Sequence, residues 1–159
     1  WIAGYMHDIG NVINRIDHAQ SGAVMAFRIL DKLGMPADEI ATVCSAIGNH
    51  DESTAFPVNA VAAALILADK TDVRRTRVRN RDKATFDIHD RVNYAVEKAS
   101  TTLDAAGKAV VLDLQLDTGM SPVIDYFEIF LERMLLWSVI VLDIAIWLIR
   151  LALHDPLIF

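Results

Sequence analysis

The stretch that decides the fold lies at 61–69 and reads Val-Ala-Ala-Ala-Leu-Ile-Leu-Ala-Asp. Eight consecutive apolar residues make a helix apolar on nearly all sides, which is typical of a helix at the centre of a domain. We therefore expect a helix over 60–74 to be the most buried element of the chain. It carries Asp69, whose carboxylate is costly to bury unless a metal or a cation compensates its charge.

Further helices are predicted before this one. Residues 1–13 indicate a helix end that breaks at Gly10. Apolar residues at spacings of three and four predict a helix over 18–34 and another over 37–49. The expected caps of the first of these two helices are Asp17 and Gly34. The apolar positions are Ala23, Phe27, Leu30 and Leu33 in that helix and Ile40, Val43, Cys44 and Ile47 in the next.

The pattern changes after about residue 90, where apolar and polar residues alternate on both sides of a turn at 104–108. This alternation predicts a β-hairpin, and a helix is predicted after Ser121 and Pro122. The alternating residues are Val92, Tyr94, Val96, Val110, Leu112, Leu114 and Leu116, and the apolar side of the helix is Ile124, Phe127, Phe130 and Leu131. We therefore predict a mainly α fold, with a helical domain at 1–88 and a small α+β subdomain, a β-hairpin plus a helix, at 89–159.

The chain ends in a long apolar segment at 135–153, interrupted by Ser138, Asp143 and Arg150. Its length approaches that of a membrane span, but a charged residue near the middle costs about 2.5–3.5 kcal/mol on insertion scales. We favour a buried or partner-seeking apolar C-terminal helix over membrane contact. Such a segment also favours a homo-oligomer.

The composition limits the classes of function. The chain has 159 residues, 53% of them hydrophobic, and a formal net charge of −6, which argues against specific nucleic-acid binding because such surfaces are basic. The single cysteine, Cys44, cannot form an internal disulfide and is expected to be buried. No signal peptide is recognised at the start, so we expect a cytoplasmic protein. The start at Trp1, inside a helical pattern, predicts a piece of a longer protein.

The strongest chemical signal is the hexapeptide Met-His-Asp-Ile-Gly-Asn at 6–11. A neutral imidazole and a carboxylate side by side at a helix end, His7 and Asp8, can bind a divalent cation together. The carboxylate is also short enough to bridge two metal ions. A lone His-Asp pair is more often a solvated or locally hydrogen-bonded pair, so the prediction depends on further ligands.

Further candidate ligands lie at the ends of other predicted helices. His18 lies at the start of the helix over 18–34, His50 follows the end of the next helix, and Asp69 lies near the end of the most apolar one. The alternative for Asp69 is an ion pair with Lys70 or Arg74 within about a helix turn.

With these residues, the chain resembles the HD superfamily of metal-dependent phosphohydrolases over roughly residues 1–85. In that family a helical bundle brings a His, a His-Asp pair and a distant Asp around one or two metal ions. The matched residues are His7 and Asp8 for the pair, Asp69 for the distant Asp, and His18 and His50 for the additional His residues of the binuclear branches. The family's first His belongs on a helix before the His-Asp pair, and this chain begins after that position.

Residues 90–132 also resemble the C-terminal part of a group of uncharacterised bacterial HD-domain proteins. That likeness implies no substrate. The resemblance over residues 1–85 implies an HD-type helical bundle with one or two divalent ions. Mn or Fe suits the mixed His and carboxylate ligands, and Mg, Co, Ni and Zn are the alternatives. It further implies that a metal-activated water attacks a phosphate ester or anhydride of a nucleotide or small phosphorylated metabolite.

A basic stretch follows the distant Asp. Seven of the chain's 15 basic residues lie within 70–83. Because arginine binds phosphate with paired donors, Lys70, Arg74 and Arg75 are predicted to bind the substrate phosphate. Lys70 is also the catalytic candidate beside Asp8. The alternative is a solvated basic surface that pairs with nearby acids.

Three functional hypotheses follow from these observations. The first, which we favour, is a phosphohydrolase acting on a small phosphorylated substrate, preferably a nucleotide. The second is a regulatory module that binds a nucleotide or metal without turnover, and the third is a structural dimer-forming protein. Metal-dependent turnover separates the first from the other two. His89 is expected to be structural, and His154 is given no role.

Overall fold

The computed structural model describes residues 1–104, 109–131 and 146–154. The chain divides into two units, Trp1–Asp69 and Lys70–Phe159. This division lies before the boundary expected after residue 88. The assignment of a metal-binding domain to 1–88 and of a subdomain to 89–159 stays a prediction.

The first unit is helical, as predicted. Its helices are α1 (Ile2–Met6), α2 (His18–Lys32), α3 (Ala37–Gly48) and α4 (Ala60–Thr71), and a 3-10 turn covers Ile9–Val12. The last two residues of α4 belong to the second unit. Gly34 follows α2 with φ of 75°, a left-handed conformation that glycine adopts at no steric cost. The cap predicted at Gly34 is therefore explained by its backbone geometry.

The core of this unit forms where α2, α3 and α4 present their apolar sides. Its buried members include Ala26 and Leu30 of α2, Ile40 and Ile47 of α3, and Leu65 of α4. Val43 and Cys44 pack against this core, so the predicted side of α3 is confirmed. The predicted side of α2 is wrong in part, because Phe27 and Leu33 are exposed while Ala19 and Ala26 are buried.

Helix α4 is not the all-round buried helix that the sequence predicts. Ala62 and Ile66 are fully buried, but Val61 is 39% exposed and Ala64 and Ala68 are also exposed. The physical reason is the size of the residues. Alanine exposes little apolar area, so a helix rich in alanine can keep one side in water at low cost.

The second unit combines helices and a sheet. Its elements are α5 (Ile88–Ala95), β1 (Val96–Asp104), β2 (Ala109–Asp117), a helix α6 that covers residues 123–131, and β3 (Ile146–His154), with 3-10 turns at Arg75–Arg77 and Lys83–Thr85. The strand order is β1-β2-β3. Strands β1 and β2 are antiparallel, which confirms the hairpin, and β3 runs parallel to β2.

The first strand of the hairpin begins later than predicted. Val92 and Tyr94 belong to helix α5 and not to a strand. Asp87 caps this helix, because its side chain accepts a hydrogen bond of 2.7 Å from the backbone N–H of Asp90. A local capping interaction therefore overrides the alternating pattern. Residues 105–108 of the predicted turn lie outside the described residues.

The predicted C-terminal helix is wrong over 146–154, where the chain forms β3. Isoleucine and tryptophan fit a pleated strand, and apolar continuity alone does not separate a buried strand from a helix. Residues 132–145, with Asp143, lie outside the described residues. Among the helices that the structure describes, none is long and apolar enough to cross a membrane.

Helix α6 buries a side that matches the predicted one at Phe130 but not at Ile124 or Leu131. Tyr126 and Phe130 are 1% and 2% exposed, and their rings are tilted against each other with centroids 4.8 Å apart. Ile124 and Leu131, which were expected on the buried side, are 68% and 52% exposed. The large aromatic side chains determine the buried side because they remove the most apolar area from water.

Candidate metal centre

The His-Asp pair lies at the junction of two helical segments. His7 follows the last residue of α1, and Asp8 precedes the 3-10 turn Ile9–Val12. The turn brings Gly10 against the first residues of α2, where His18 begins the helix. A glycine is required there, because a Cβ at Gly10 would lie 2.6 Å from Ser21 Oγ and 2.7 Å from the backbone nitrogen of Gly22.

The three histidines of the first unit share one hydrogen-bond arrangement. Each ring lies with Nδ1 near the backbone carbonyl three residues earlier, at 2.8 Å for His7, 3.0 Å for His18 and 2.6 Å for His50. A carbonyl oxygen only accepts hydrogen bonds, so Nδ1 must carry the proton and donate it. In each neutral ring the lone pair therefore lies on Nε2, which is the arrangement that metal-binding histidines use.

The Nε2 atoms point to the carboxylates. His7 Nε2 lies 3.5 Å from Asp69 Oδ1 and 3.7 Å from Asp8 Oδ2. His18 Nε2 lies 3.3 Å and His50 Nε2 3.9 Å from Asp8 Oδ1. The two oxygens of Asp8 therefore face different partners: one lies near His7, and the other lies near His18 and His50.

Two overlapping groups of these residues have the spacing of metal ligands. One group is His7, His50 and Asp69, and the other is Asp8, His18 and His50, with the ligand atoms of each group within 4.8 Å of one another. Metal–ligand bonds of about 2.0–2.2 Å place two ligand atoms on one ion at most about 4.4 Å apart, slightly less than this limit. The structure thus brings together all five metal ligands predicted from the sequence.

The site has a closed side and an open side. His18 and His50 are 2% and 1% exposed, and the ring of His50 lies nearly perpendicular to both other rings, with centroids 5.0 Å from His7 and 5.1 Å from His18. The side chain of Asp8 is half exposed. The buried rings close one side of the site. A small molecule can approach from the other side, where the carboxylate of Asp8 is accessible.

A groove of about 1130 Å³ opens beside His7 and Asp8. Its walls are mainly apolar and include Tyr5, Ile29 and Leu33. Sites for small molecules in proteins commonly measure about 300–1,000 Å³ and are mostly apolar. The groove therefore has room for the organic part of a ligand whose polar group lies at the histidines.

The electrostatics of His7 follow from its carboxylate neighbour. A hydrogen bond to Asp69 raises the pKa of His7, and burial opposes this shift without cancelling it. The carbonyl of Gly4 and the charge of Asp8 act in the same direction as Asp69. In the metal-free protein the His7–Asp69 pair is therefore stabilised by protonation, and a bound cation would replace that proton.

We expect the metal-free protein to lose stability as the pH rises through the raised pKa of His7. A folded-state pKa above the unfolded value of about 6.5 gives a stabilisation that is fully present below the unfolded pKa. It disappears as the pH rises through the folded pKa. Urea denaturation with a chelator, across this pH range, measures the effect. The His7→Gln variant should lack this component, and an identical pH dependence in both proteins would contradict it.

Two residues of the site were not identified from the sequence. Asp51 follows His50 directly, and its Oδ1 lies 3.9 Å from His18 Nε2. Arg15 lies three residues before His18, and its Nη1 is 3.7 Å from Asp8 Oδ1. The repeated His-Asp dipeptide at 50–51 was a signal for the first residue. Arg15 could not be found in this way, because its contact with Asp8 depends on the course of the loop before α2.

The residues predicted to bind the substrate phosphate belong to the second unit. Lys70 is buried. The guanidinium of Arg74 pairs with Asp72, with Nε 2.8 Å from Oδ1. Arg75 donates a 2.7 Å hydrogen bond to the carbonyl of Tyr94 and lies 4.5 Å from the centroid of its ring. Both arginines thus have partners within their own unit, and the phosphate clamp stays a prediction.

The lone cysteine is partly buried, and burial raises the pKa of the Cys44 thiol. A thiol with a raised pKa is a poor nucleophile at neutral pH, because the thiolate is the reactive form. His89 is exposed and belongs to neither ligand group found among the described residues. Cys44 was expected to be buried and is only partly so, and the structural role expected for His89 stays a prediction.

Comparisons of the chain with protein-family models, with curated proteins and with solved structures found no match.

Proposed function

We propose that the chain is an HD-type metal-dependent phosphohydrolase, which cleaves a phosphate ester or anhydride with a water molecule as nucleophile. The observation that carries the proposal is the common orientation of three histidines. Each of them donates Nδ1–H to a backbone carbonyl and directs Nε2 towards Asp8 or Asp69. A single histidine in a protein core needs only one such hydrogen bond. Three histidine rings whose Nε2 atoms converge on carboxylates are typical of a metal centre.

The donor set fits one or two divalent ions. His7 and Asp69 would hold one ion and His18 and His50 the other, with one oxygen of Asp8 directed to each position. His50 has a single Nε2 lone pair, so it can serve only one of the two groups at a time. Imidazole with carboxylate favours Mn or Fe, with Mg, Co, Ni or Zn as alternatives. When bound, such ions activate water and polarise a phosphoryl oxygen.

The residues of the chain contribute orientation and access. The backbone hydrogen bonds of His18 and His50 fix both rings before any ligand arrives, which reduces the cost of assembling the site. Asp8 keeps an open side, from which a phosphoryl group can reach the centre. The adjacent apolar groove supports a substrate with an organic group, such as a nucleotide or another phosphorylated metabolite. Lys70, Arg74 and Arg75 remain candidates for stabilising the charge that develops on the phosphate.

The test is turnover that depends on the metal. The protein loaded with Mn or Fe would be incubated with a nucleoside monophosphate, a cyclic dinucleotide and a nucleoside triphosphate, and released phosphate or split product would be measured. We expect activity with at least one of these classes, its loss with a chelator and its return with added metal. Metal-loaded protein that binds nucleotides tightly but releases no product would instead favour the regulatory module.

A further inference from the structure

We infer that Arg15 is the residue that binds the substrate's phosphoryl group at the metal centre, with phosphate oxygens replacing His18 and Asp8 as its acceptors. This inference rests on the proposed function and identifies a phosphate-binding residue within the first unit itself. The ligand class is a terminal phosphoryl group, as in a phosphate monoester or in inorganic phosphate.

Arg15 lies in the loop between the 3-10 turn and α2, at the rim of the site. Its Nη1 lies 3.3 Å from His18 Nε2, 3.7 Å from Asp8 Oδ1 and 3.5 Å from Asn11 Oδ1. Its side chain is 71% exposed. The cation thus contacts two predicted metal ligands from the solvent side of the centre.

The contact with His18 shows which lone pair Arg15 uses. A guanidinium is always protonated and can only donate, so Nε2 of His18 must be the acceptor in the 3.3 Å contact. The same lone pair would bind a metal ion. A metal ion held by His18 would therefore compete with Arg15 for this lone pair.

Metal binding would remove both attractive contacts of Arg15 at the centre. The lone pair of His18 and the oxygen of Asp8 would be committed to the ion, and a second cation would be repelled from it. The side chain is long and exposed, and its backbone stays fixed because the carbonyl of Arg15 accepts the Nδ1–H of His18. The guanidinium would thus remain beside the centre with its contact to Asn11 Oδ1, and a phosphoryl group would supply paired acceptors for its other donors.

A structural role makes a different prediction. If Arg15 served to hold Asp8 in place, then its removal would weaken metal binding. If Arg15 binds phosphate, then its removal takes a positive charge away from a cation site. Metal affinity should then stay the same or rise, while phosphate affinity falls. The two roles therefore differ in the sign of the effect on the metal.

The experiment compares Arg15→Gln with the wild type by calorimetric titration, first with Mn²⁺ alone and then with inorganic phosphate on the Mn-loaded protein. Phosphate affinity is expected to fall about tenfold or more, the usual loss for a charge-assisted hydrogen bond. Mn²⁺ affinity should be unchanged or higher. Arg15→Lys, which keeps the charge but loses the paired donors, should give an intermediate phosphate affinity.

The matched control is Arg28→Gln, which removes the same charge from an exposed position on α2, about 15 Å along the helix axis from His18. It should leave both affinities close to the wild-type values. Equal phosphate affinity in Arg15→Gln and wild type, or a parallel loss of Mn²⁺ affinity, would overturn the inference. A loss confined to an Arg74→Ala, Arg75→Ala double variant would assign phosphate to those arginines and also overturn it.

These readouts separate failure of the inference from failure of the proposed function. Binding of Mn²⁺ and phosphate as expected, without turnover of any phosphate ester, would refute the hydrolase and leave the role of Arg15 in phosphate binding intact. Turnover by the wild type that Arg15→Gln retains, with the same KM, would refute the role of Arg15 alone. A wild-type protein that binds no Mn²⁺ would refute both.

Discussion

Substitution of Asp8 by alanine is expected to abolish metal binding, with a loss of affinity greater than about 100-fold, since even residues that only orient the metal ligands change affinity by about 10–100-fold. Asp8 belongs to the metal group of His18 and His50, and its Oδ2 also lies 3.7 Å from Nε2 of His7, which belongs to the other group. Its removal therefore weakens both positions. Metal content after dialysis, measured by elemental analysis, gives the result.

The helix content of the Asp8→Ala variant should stay close to that of the wild type. The side chain is half exposed and lies outside the apolar core of the first unit, so its loss leaves no cavity in that core. The matched control is Asp31→Ala, which removes a carboxylate from an exposed position on α2. Metal retained by Asp8→Ala, or lost equally by Asp31→Ala, would refute the ligand assignment.

Substitution of Gly10 by alanine is expected to lower the free energy of unfolding by about 3 kcal/mol, at the upper end of the usual cost of overpacking. The new Cβ would collide with the carbonyl oxygen of His18 and with the backbone nitrogen of Gly22. Both are backbone atoms at the start of α2, so the collision can be relieved only if the helix moves together with His18. We therefore expect weaker metal binding together with the loss of stability, measured by urea denaturation and by Mn²⁺ titration.

Gly4→Ala provides the control for this prediction. Gly4 lies in α1, and a Cβ built on it meets no atom within 4 Å among the described residues. Alanine is the better helix former by about 0.8–1.0 kcal/mol, so this variant should be at least as stable as the wild type. Equal free energies of unfolding of Gly10→Ala and Gly4→Ala would contradict this prediction. The close approach of the 3-10 turn to α2 would then not fix the position of His18.

That the residues of the candidate site lie together could be predicted, because each is near a helix end that the sequence marks. His7 precedes a glycine break, His18 begins α2, and His50 follows α3. Helix ends in a bundle meet at few places, so residues with metal-binding side chains at several ends are good candidates for a shared site. Arg15 was not predicted because its contact with Asp8 depends on the path of five residues between the 3-10 turn and α2.

The errors in the fold have a common physical origin. Apolar pattern alone did not distinguish the exposed alanines of α4 from a buried surface, nor the strand β3 from a helix. The start of the hairpin was misplaced because Val92 and Tyr94 belong to α5, whose N-terminus is capped by Asp87, the acceptor of the Asp90 N–H. The size of the alanines, the pairing of β3 with β2 and the cap of α5 are not contained in the periodicity of the sequence.

The most direct test of the metal centre is the metal content of the wild-type chain, purified anaerobically with Mn or Fe supplied and measured by elemental analysis. We predict one to two ions per chain, because the described residues offer two overlapping ligand groups that share His50. A chain that carries no Mn or Fe under these conditions would contradict the metal centre and the hydrolase proposed from it.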